Sequence, residues 1–497
     1  MEVSRRFFGL SDANDSVLRL ARIMTILMPI FSLTLMISST FFMIFVAEAV
    51  GGGDFIQGLG IVGGLVVLQM AVSTLLDYPT GALADLVGQR FVLASAFLTY
   101  GAAFFLVSIV TSFTPLSLLV VIYALQGFAQ SQQSGTLATW FDNNYRAAVS
   151  ADSDRKQYGV FQARMGMIFQ IIATISLIPG AVLATILGRP WVFQLQGILC
   201  VIIALVVLRV VQDLPQVKEE KQTQDRPRIS AGEYVGLLKG GVTYLLEEPW
   251  VKNVIIGSML VTSTVMVWGN LILFPMYFSY LLTDVAVSSY RTILFTPGVV
   301  AQERSGIWSR RFDPKKWIPR FRILQAGGFV FYIIFATIMF FFPPPTVSGP
   351  GIDLIIPFTS TVFMTIPITS VIPIILIALT FTFTMISAAC ADILTQREML
   401  DVIPNNIRNS MYSLQPTIAM IFAMPQIAIF GWLIPIIGFP ATLVSIGLIS
   451  VVGVLIIRKG LHQDKPAERA AASPEPSLEE IDSSFTEEET SVEIVVE

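Results

Sequence analysis

A chain of 497 residues that is 54% hydrophobic and only 13% charged, with a mean hydropathy of +0.72, has too few polar groups to clothe a water-soluble globule, in which charged residues make up about 25%. Lipid must therefore do much of the solvating. Two cysteines, Cys200 and Cys390, both in apolar runs, and one histidine, His462, in the polar C-terminal stretch, exclude a disulfide framework, a Cys/His metal cluster and chemistry built on a histidine base. No resident cofactor, metal or nucleic-acid partner is expected.

A spanning helix needs roughly 20 mainly apolar residues. Twelve such runs follow one another, over about 24–48, 57–78, 91–111, 115–140, 159–187 and 191–211, then 251–277, 284–302, 320–342, 372–393, 407–433 and 436–457. Runs of this length exclude a membrane barrel, whose strands alternate over about ten residues. The first run is too long for a signal-peptide core and lacks a small-residue cleavage site, so it reads as the first span. Residues 1–23 form a cytosolic N-terminus. Residues 24–212 and 251–458 form two six-helix bundles, joined by a charged cytosolic linker over 213–250, of which 233–248 suits a helix lying on the membrane surface. Residues 459–497 are acidic and rich in Ser and Glu, the composition of a disordered cytosolic tail.

With both termini placed in the cytoplasm, all but two of the 31 Lys and Arg fall on the cytosolic side or at cytosolic helix ends. The exceptions are Arg189, in the short outer connection between spans 5 and 6, and Arg291, inside span 8. That bias fixes the orientation of a multi-pass protein. The expected fold class is all-α integral membrane, with twelve transmembrane helices in two pseudo-symmetric bundles.

Between spans 2 and 3, residues 81–90 read Gly-Ala-Leu-Ala-Asp-Leu-Val-Gly-Gln-Arg. This segment resembles the signature of the major facilitator superfamily, Gly-x-Leu-Ala-Asp-basic-x-Gly-basic-basic, in Gly81, Leu83, Ala84, Asp85, Gly88 and Arg90. Leu86 and Gln89 depart from it at two basic positions. A degraded copy follows span 8, with Gly306, Arg310 and Arg311, and Gly306 trails Gly81 by 225 residues, close to the 227 that separate spans 7 and 1. Asp142 and Asp392, near the ends of spans 4 and 10, form a further matching pair. A repeated six-helix unit is what this family's parallel repeat implies. The preceding Asp77-Tyr78-Pro79-Thr80 looks like the entry to this loop in drug-efflux-like members. The resemblance implies that Asp85 faces the start of span 11, near residues 404–406, and latches the cytosolic side against that helix N-terminus, with Arg90 and Asp142 in the same network.

In this fold spans 1, 4, 7 and 10 line a central cavity. Span 4 carries Gln126, Gln130 and Gln133 on one stripe, suited either to a solute or to interhelical hydrogen bonds. Span 7 offers Thr262, Trp268 and Asn270, and span 1 offers Ser38 and Ser39; packing roles compete for each. Arg291 lies eleven residues before Gln302, roughly 16 Å deep. An arginine at that depth normally faces a water-filled cavity or a partner; it suits an anionic solute group or a pairing with Glu48, unless span 8 begins later and leaves it at the outer interface. Glu48, Asp77 and Asp392 are the coupling candidates for a proton or sodium ion. Proton-coupled drug antiporters carry an arginine three residues before Gln-Gly in span 4, where this chain has Tyr123; in span 5 their Gly-Pro is replaced by Pro179-Gly180.

The expected function is secondary transport of a small solute across the plasma membrane by alternating access, by a monomer whose other partner is the bilayer itself. Export of small amphipathic molecules leads, with uptake by the same fold or a non-transporting sensor as alternatives. An enzyme is not expected: the spans hold no clustered catalytic groups, and no nucleotide-binding loop is present.

Overall fold

The computed structural model describes residues 10, 15–148, 156–215, 217, 239, 242–345, 349–355, 362–403 and 408–465. In chain order the helices are α1 (Asp15–Met36), α2 (Phe42–Val50), α3 (Phe55–Val87), α4 (Gln89–Ser108), α5 (Leu116–Gln133), α6 (Thr136–Ala148), α7 (Lys156–Ile175), α8 (Leu177–Leu187) and α9 (Arg189–Val210). They continue with α10 (Pro249–Val267), α11 (Leu273–Leu281), α12 (Asp284–Trp308), α13 (Pro314–Leu324), α14 (Phe329–Phe341), α15 (Ile368–Val402) and α16 (Arg408–Leu461). Among the described residues, nine helical stretches are long and apolar enough to cross a bilayer. Helices suit that setting because each closes its own backbone hydrogen bonds. α5 and α12 are equally helical but carry the glutamine stripe and Arg291 respectively.

Several expected spans are broken rather than straight. Span 1 is α1 and α2 with a turn over 37–41 between them. Span 4 divides into α5 and α6 at Gly135, which has φ +68°. Span 7 passes through a π-helical turn, Trp268–Ile272, between α10 and α11, just ahead of Pro275, which has no N–H to give the i−4 carbonyl. Span 9 is the basic α13 joined to the apolar α14. The runs expected as spans 11 and 12 are continuous in α16 but change direction at Gly438 (φ 77°, ψ 169°). A side chain would be strained there, and Pro440 two residues on blocks an unbroken ladder.

The chain is not all helix. Within 343–371, the long connection between the runs expected as spans 9 and 10, strands β1 (Gly351–Ile355) and β2 (Val362–Pro367) pair antiparallel, with Gly351 opposite Pro367. Thr365 Oγ1 donates to Asp353 at 2.6 Å across the ladder. The hairpin lies between the end of α14 and the start of α15.

The segment expected as a connecting loop with the signature motif is helical as far as Val87; α3 carries Gly81 and the backbone of Asp85. Only Gly88 leaves the helix, at φ 99°, and α4 starts at the next residue. The second copy behaves similarly. Gly306 is in α12, Arg310 and Arg311 form a 3-10 turn, Ser309–Arg311, and Asp313 caps α13 by accepting from Lys315 N at 3.1 Å. Of the 213–250 linker, the described part includes Tyr244, whose hydroxyl donates to the Val402 carbonyl at 3.1 Å under α15. The expected tail lies outside the described residues beyond 465.

Candidate substrate path and the contacts between the halves

Residues 24–212 and 251–458 meet along two seams. In one, α3 packs on α16 so closely that a Cβ on Gly63 would lie 2.9 Å from the Ile427 carbonyl and 3.3 Å from Gly431 Cα. Two glycines facing each other let the backbones touch, the small-residue packing by which membrane helices associate without a hydrophobic drive. In the other seam α12 meets α8, α7 and the break in span 1. Thr40 Oγ1 and Ser288 Oγ are 2.9 Å apart, and Thr292 Oγ1 donates to the Thr174 carbonyl at 3.1 Å.

Among the described residues, an ion cluster joins the halves at the end remote from Asp15 and Lys465. Arg189, the first residue of α9, donates through Nε and Nη2 to the two carboxylate oxygens of Asp284 at 2.8 and 2.9 Å, and through Nη1 to Glu48 at 2.6 Å. Arg189 and Glu48 belong to the first half and Asp284 to the second. The side chains of Arg189 and Asp284 are only 16% and 10% exposed, so water screens this bond less than a surface pair. The Phe278 ring lies 5.4 Å from the guanidinium and packs edge-on to Phe55 at 5.5 Å. A planar fork of donors suits one bidentate carboxylate plus a second acceptor, and a lysine cannot reproduce it. Glu48, expected as a coupling group and as a partner of Arg291, is thus the ligand of Arg189.

Other candidates separate into packing and path. Trp268 is buried and meets Phe331 and Phe335 edge-on at 5.0 and 5.2 Å, packing against α14. Asp392 pairs with buried Arg322 at 2.8 Å, whose guanidinium also reaches Gln325 and Thr395 at 3.0 Å. Arg322 was missed in the sequence, where it looks like one more cytosolic basic residue. Asp142 pairs with Arg146 at 2.9 Å, one turn on, and Arg90 stacks over Phe91 at 4.4 Å. The Asp85 side chain and residues 404–407 lie outside what the structure describes, and so does the expected latch contact.

Polar groups remain exposed in the middle of helices. Gln130 accepts from Gln69 Nε2 at 3.4 Å and is exposed, while Gln126 is buried and Gln133 half-buried. Asn270, in the π turn, donates to the Met266 carbonyl at 2.9 Å and is exposed. Asp77 is exposed and takes a hydrogen bond from the Ser134 side chain. Exposed polar side chains at membrane depth are costly against lipid and normally face a water-filled cavity. α12 brings Arg291 seven residues below Asp284, roughly 10 Å down the helix and nearer the locked end than its sequence position implies, because the helix continues to Trp308.

Residues 23–367 match the sequence profile of the Major Facilitator Superfamily. The chain belongs to this superfamily. The solved nucleoside transporter NupG superposes over 91% of this chain and 100% of its own, with a TM-score of 0.61 at 13% identity. A D-xylose-proton symporter covers 89% and 99% at 0.58 and 14%, and a peptide transporter POT bound to alafosfalin covers 89% and 93% at 0.53 and 14%. At such identities the likeness is one of fold. No curated protein sequence matches the chain. The superfamily assignment makes the protein a multi-pass membrane transporter and not an enzyme.

Proposed function

We propose that this superfamily member is a gradient-driven or facilitative carrier with twelve spans and cytosolic termini, and that it works by alternating access. The observation that carries the reading is the asymmetry of the contacts between the halves. Among the described residues, Arg189 ties them together at one end, while Gln130 and Asp77 stay exposed on the inner parts of spans 4 and 2. With the basic ends in the cytosol, the locked end is outside, and the conformation is inward-facing. The same asymmetry makes the cavity reachable from the cytosol. Breaking one ion triad and closing the inner ends would turn the site outward, which is a two-state equilibrium that solute and ion can bias.

The domain boundaries follow from this reading. They are a cytosolic 1–23, bundles over 24–212 and 251–458, a cytosolic 213–250 linker and a cytosolic tail from 459. The cytosolic latch at Gly81, Asp85, Gly88, Arg90 and Asp142, with its copy at Gly306, Arg310 and Arg311, would hold the opposite, outward-facing state. Export of amphipathic molecules through the plasma membrane rests on the drug-efflux-like entry to the signature segment. Uptake coupled to protons is the competing direction, supported by the shared fold of the D-xylose-proton symporter. Counterflow in proteoliposomes tests transport without knowledge of the driving ion. Accumulation of a labelled solute against a preloaded unlabelled pool is expected for at least one of a panel of sugars, nucleosides, amino acids, organic anions and drugs. Binding detected by thermal stabilisation for a solute that shows no counterflow would support the sensor alternative instead.

A further inference from the structure

Arg291, half-buried on α12, differs from Arg189 and Arg322 in its partners. Arg189 has two carboxylates and Arg322 has Asp392, Gln325 and Thr395. Arg291 has no carboxylate. Its Nη1 is sealed from solvent without a hydrogen-bond partner, and its guanidinium lies between the rings of Phe295 and Phe381, at 5.3 and 5.5 Å from their centroids. The Tyr277 ring meets that of Tyr290, the residue before Arg291, edge-on at 5.0 Å, and the Tyr277 hydroxyl too is buried without a hydrogen-bond partner. Cation–π contacts hold a guanidinium in place but accept none of its N–H bonds. A charge at this depth without a counter-charge is costly, and such residues mark substrate or ion paths.

The orientation of α12 says where this donor pair points. Val300 and Ile293 are 51% and 65% exposed, the pattern of a lipid-facing stripe. At about 100° per residue, Arg291 lies about 180° around the helix from Val300. Ser288 and Thr292, on an adjoining face, bond across to the first half. Arg291 therefore faces inward between the halves, roughly two turns beneath the Arg189 triad, at the closed apex of the cavity proposed above.

We propose that Arg291 and Tyr277 form the recognition site for a small organic oxyanion, a carboxylate, sulfonate or phosphate monoester, with Phe295 and Phe381 packing against its carbon skeleton. This rests on the transporter reading, and it narrows the solute to anions. The negative group supplies the counter-charge the site lacks, and the phenol adds a second donor to the same group. Neutral and cationic solutes of equal size would leave the guanidinium unpaired and bind poorly.

The test needs no knowledge of the natural solute. In the full-length protein with Cys200→Ala and Cys390→Ala, a cysteine is placed at Phe295 or, as a control, at Gln130. Each is labelled from the cytosolic side with a sulfonate-bearing and a trimethylammonium-bearing methanethiosulfonate of similar size. With each rate taken relative to a free thiol, the Phe295→Cys protein should favour the sulfonate. That preference should fall on the order of tenfold in Arg291→Gln and persist in Arg291→Lys. The Gln130→Cys protein should show little preference, and its labelling in the Arg291 variants reports that they remain folded. A preference at Phe295→Cys that Arg291→Gln leaves unchanged would overturn the proposal. So would an unreactive Phe295→Cys beside a reactive Gln130→Cys, which would leave the transporter reading standing. Silence at both positions would remove the cavity itself, and the transporter reading with it.

Discussion

Replacing Arg189 by alanine removes the one residue that holds Glu48 and Asp284 together, and leaves two carboxylates facing each other with no cation between them. Deleting one partner of a buried pair costs about 3–5 kcal/mol, and an exposed pair is worth about 0–1 kcal/mol. The triad lies between these limits. Arg189 and Asp284 are 16% and 10% exposed, but Glu48 is 31% exposed, so a loss of about 2–4 kcal/mol from the outer-closed state is the reasonable range. At 1.4 kcal/mol per decade this shifts the population toward outer-open by roughly 30- to 800-fold. Arg189→Lys keeps the charge but loses the fork, and should give a smaller shift. The assay is reaction of a cysteine at Phe278, which packs on Phe55 beneath the triad, with a membrane-impermeant thiol reagent added outside. Its rate should rise in Arg189→Ala in proportion to the new outward population. A rate equal to that of the otherwise native protein would refute the triad as the element that holds the outer end closed.

The remaining predictions concern the seams, the packing residues and the signature segment. Gly63→Val introduces a side chain where a Cβ would already meet the Ile427 carbonyl at 2.9 Å; it should open the outer end as Arg189→Ala does, and unchanged outside labelling at Phe278→Cys would contradict the seam. Trp268→Ala should lower thermal stability by about 3–5 kcal/mol, the cost of emptying a buried aromatic site, with solute selectivity unchanged in counterflow; altered selectivity would return Trp268 to the path. Asp392→Asn should cost about 1–3 kcal/mol, because it leaves the buried Arg322 guanidinium with Gln325 and Thr395 but no counter-charge, and the pH profile of transport should survive it; loss of the pH dependence would make Asp392 the coupling group after all. Asp85→Asn should slow counterflow while Phe278→Cys stays shielded, since the latch belongs to the opposite state; full turnover would remove the latch.

The architecture was readable in the sequence because its cause is local. Run length sets a span, so α3, α4, α9 and α15 fall where the apolar runs predict. The breaks were less readable. Gly135 and Gly438 are ordinary letters in a glycine-bearing membrane chain, and only the packing of neighbouring helices decides which glycine bends. The signature motif reads as a loop because of Gly81 and Gly88, yet only Gly88 leaves the helix. The Arg189 triad joins residues 141 and 95 positions apart, and no local pattern announces such a contact. One signal was available: Arg189 was the lone basic residue in an outer connection, and Glu48 and Asp284 flanked spans expected to end on the same side. Arg322 gave no signal, because a buried arginine and a surface arginine at a cytosolic helix end look alike until α15 is packed against it.

The central claim is that the two halves rock between states open to opposite sides. Double electron–electron resonance in lipid nanodiscs tests it directly, using one pair of spin labels at the outer ends, Ile186 and Ile436, and another at the inner ends, Leu86 and Ile307, all of them exposed. The account predicts that Arg189→Ala lengthens the outer distance and shortens the inner one in the same population of molecules. Outer and inner distances that lengthen together, or that both stay fixed when the triad is broken, would contradict it.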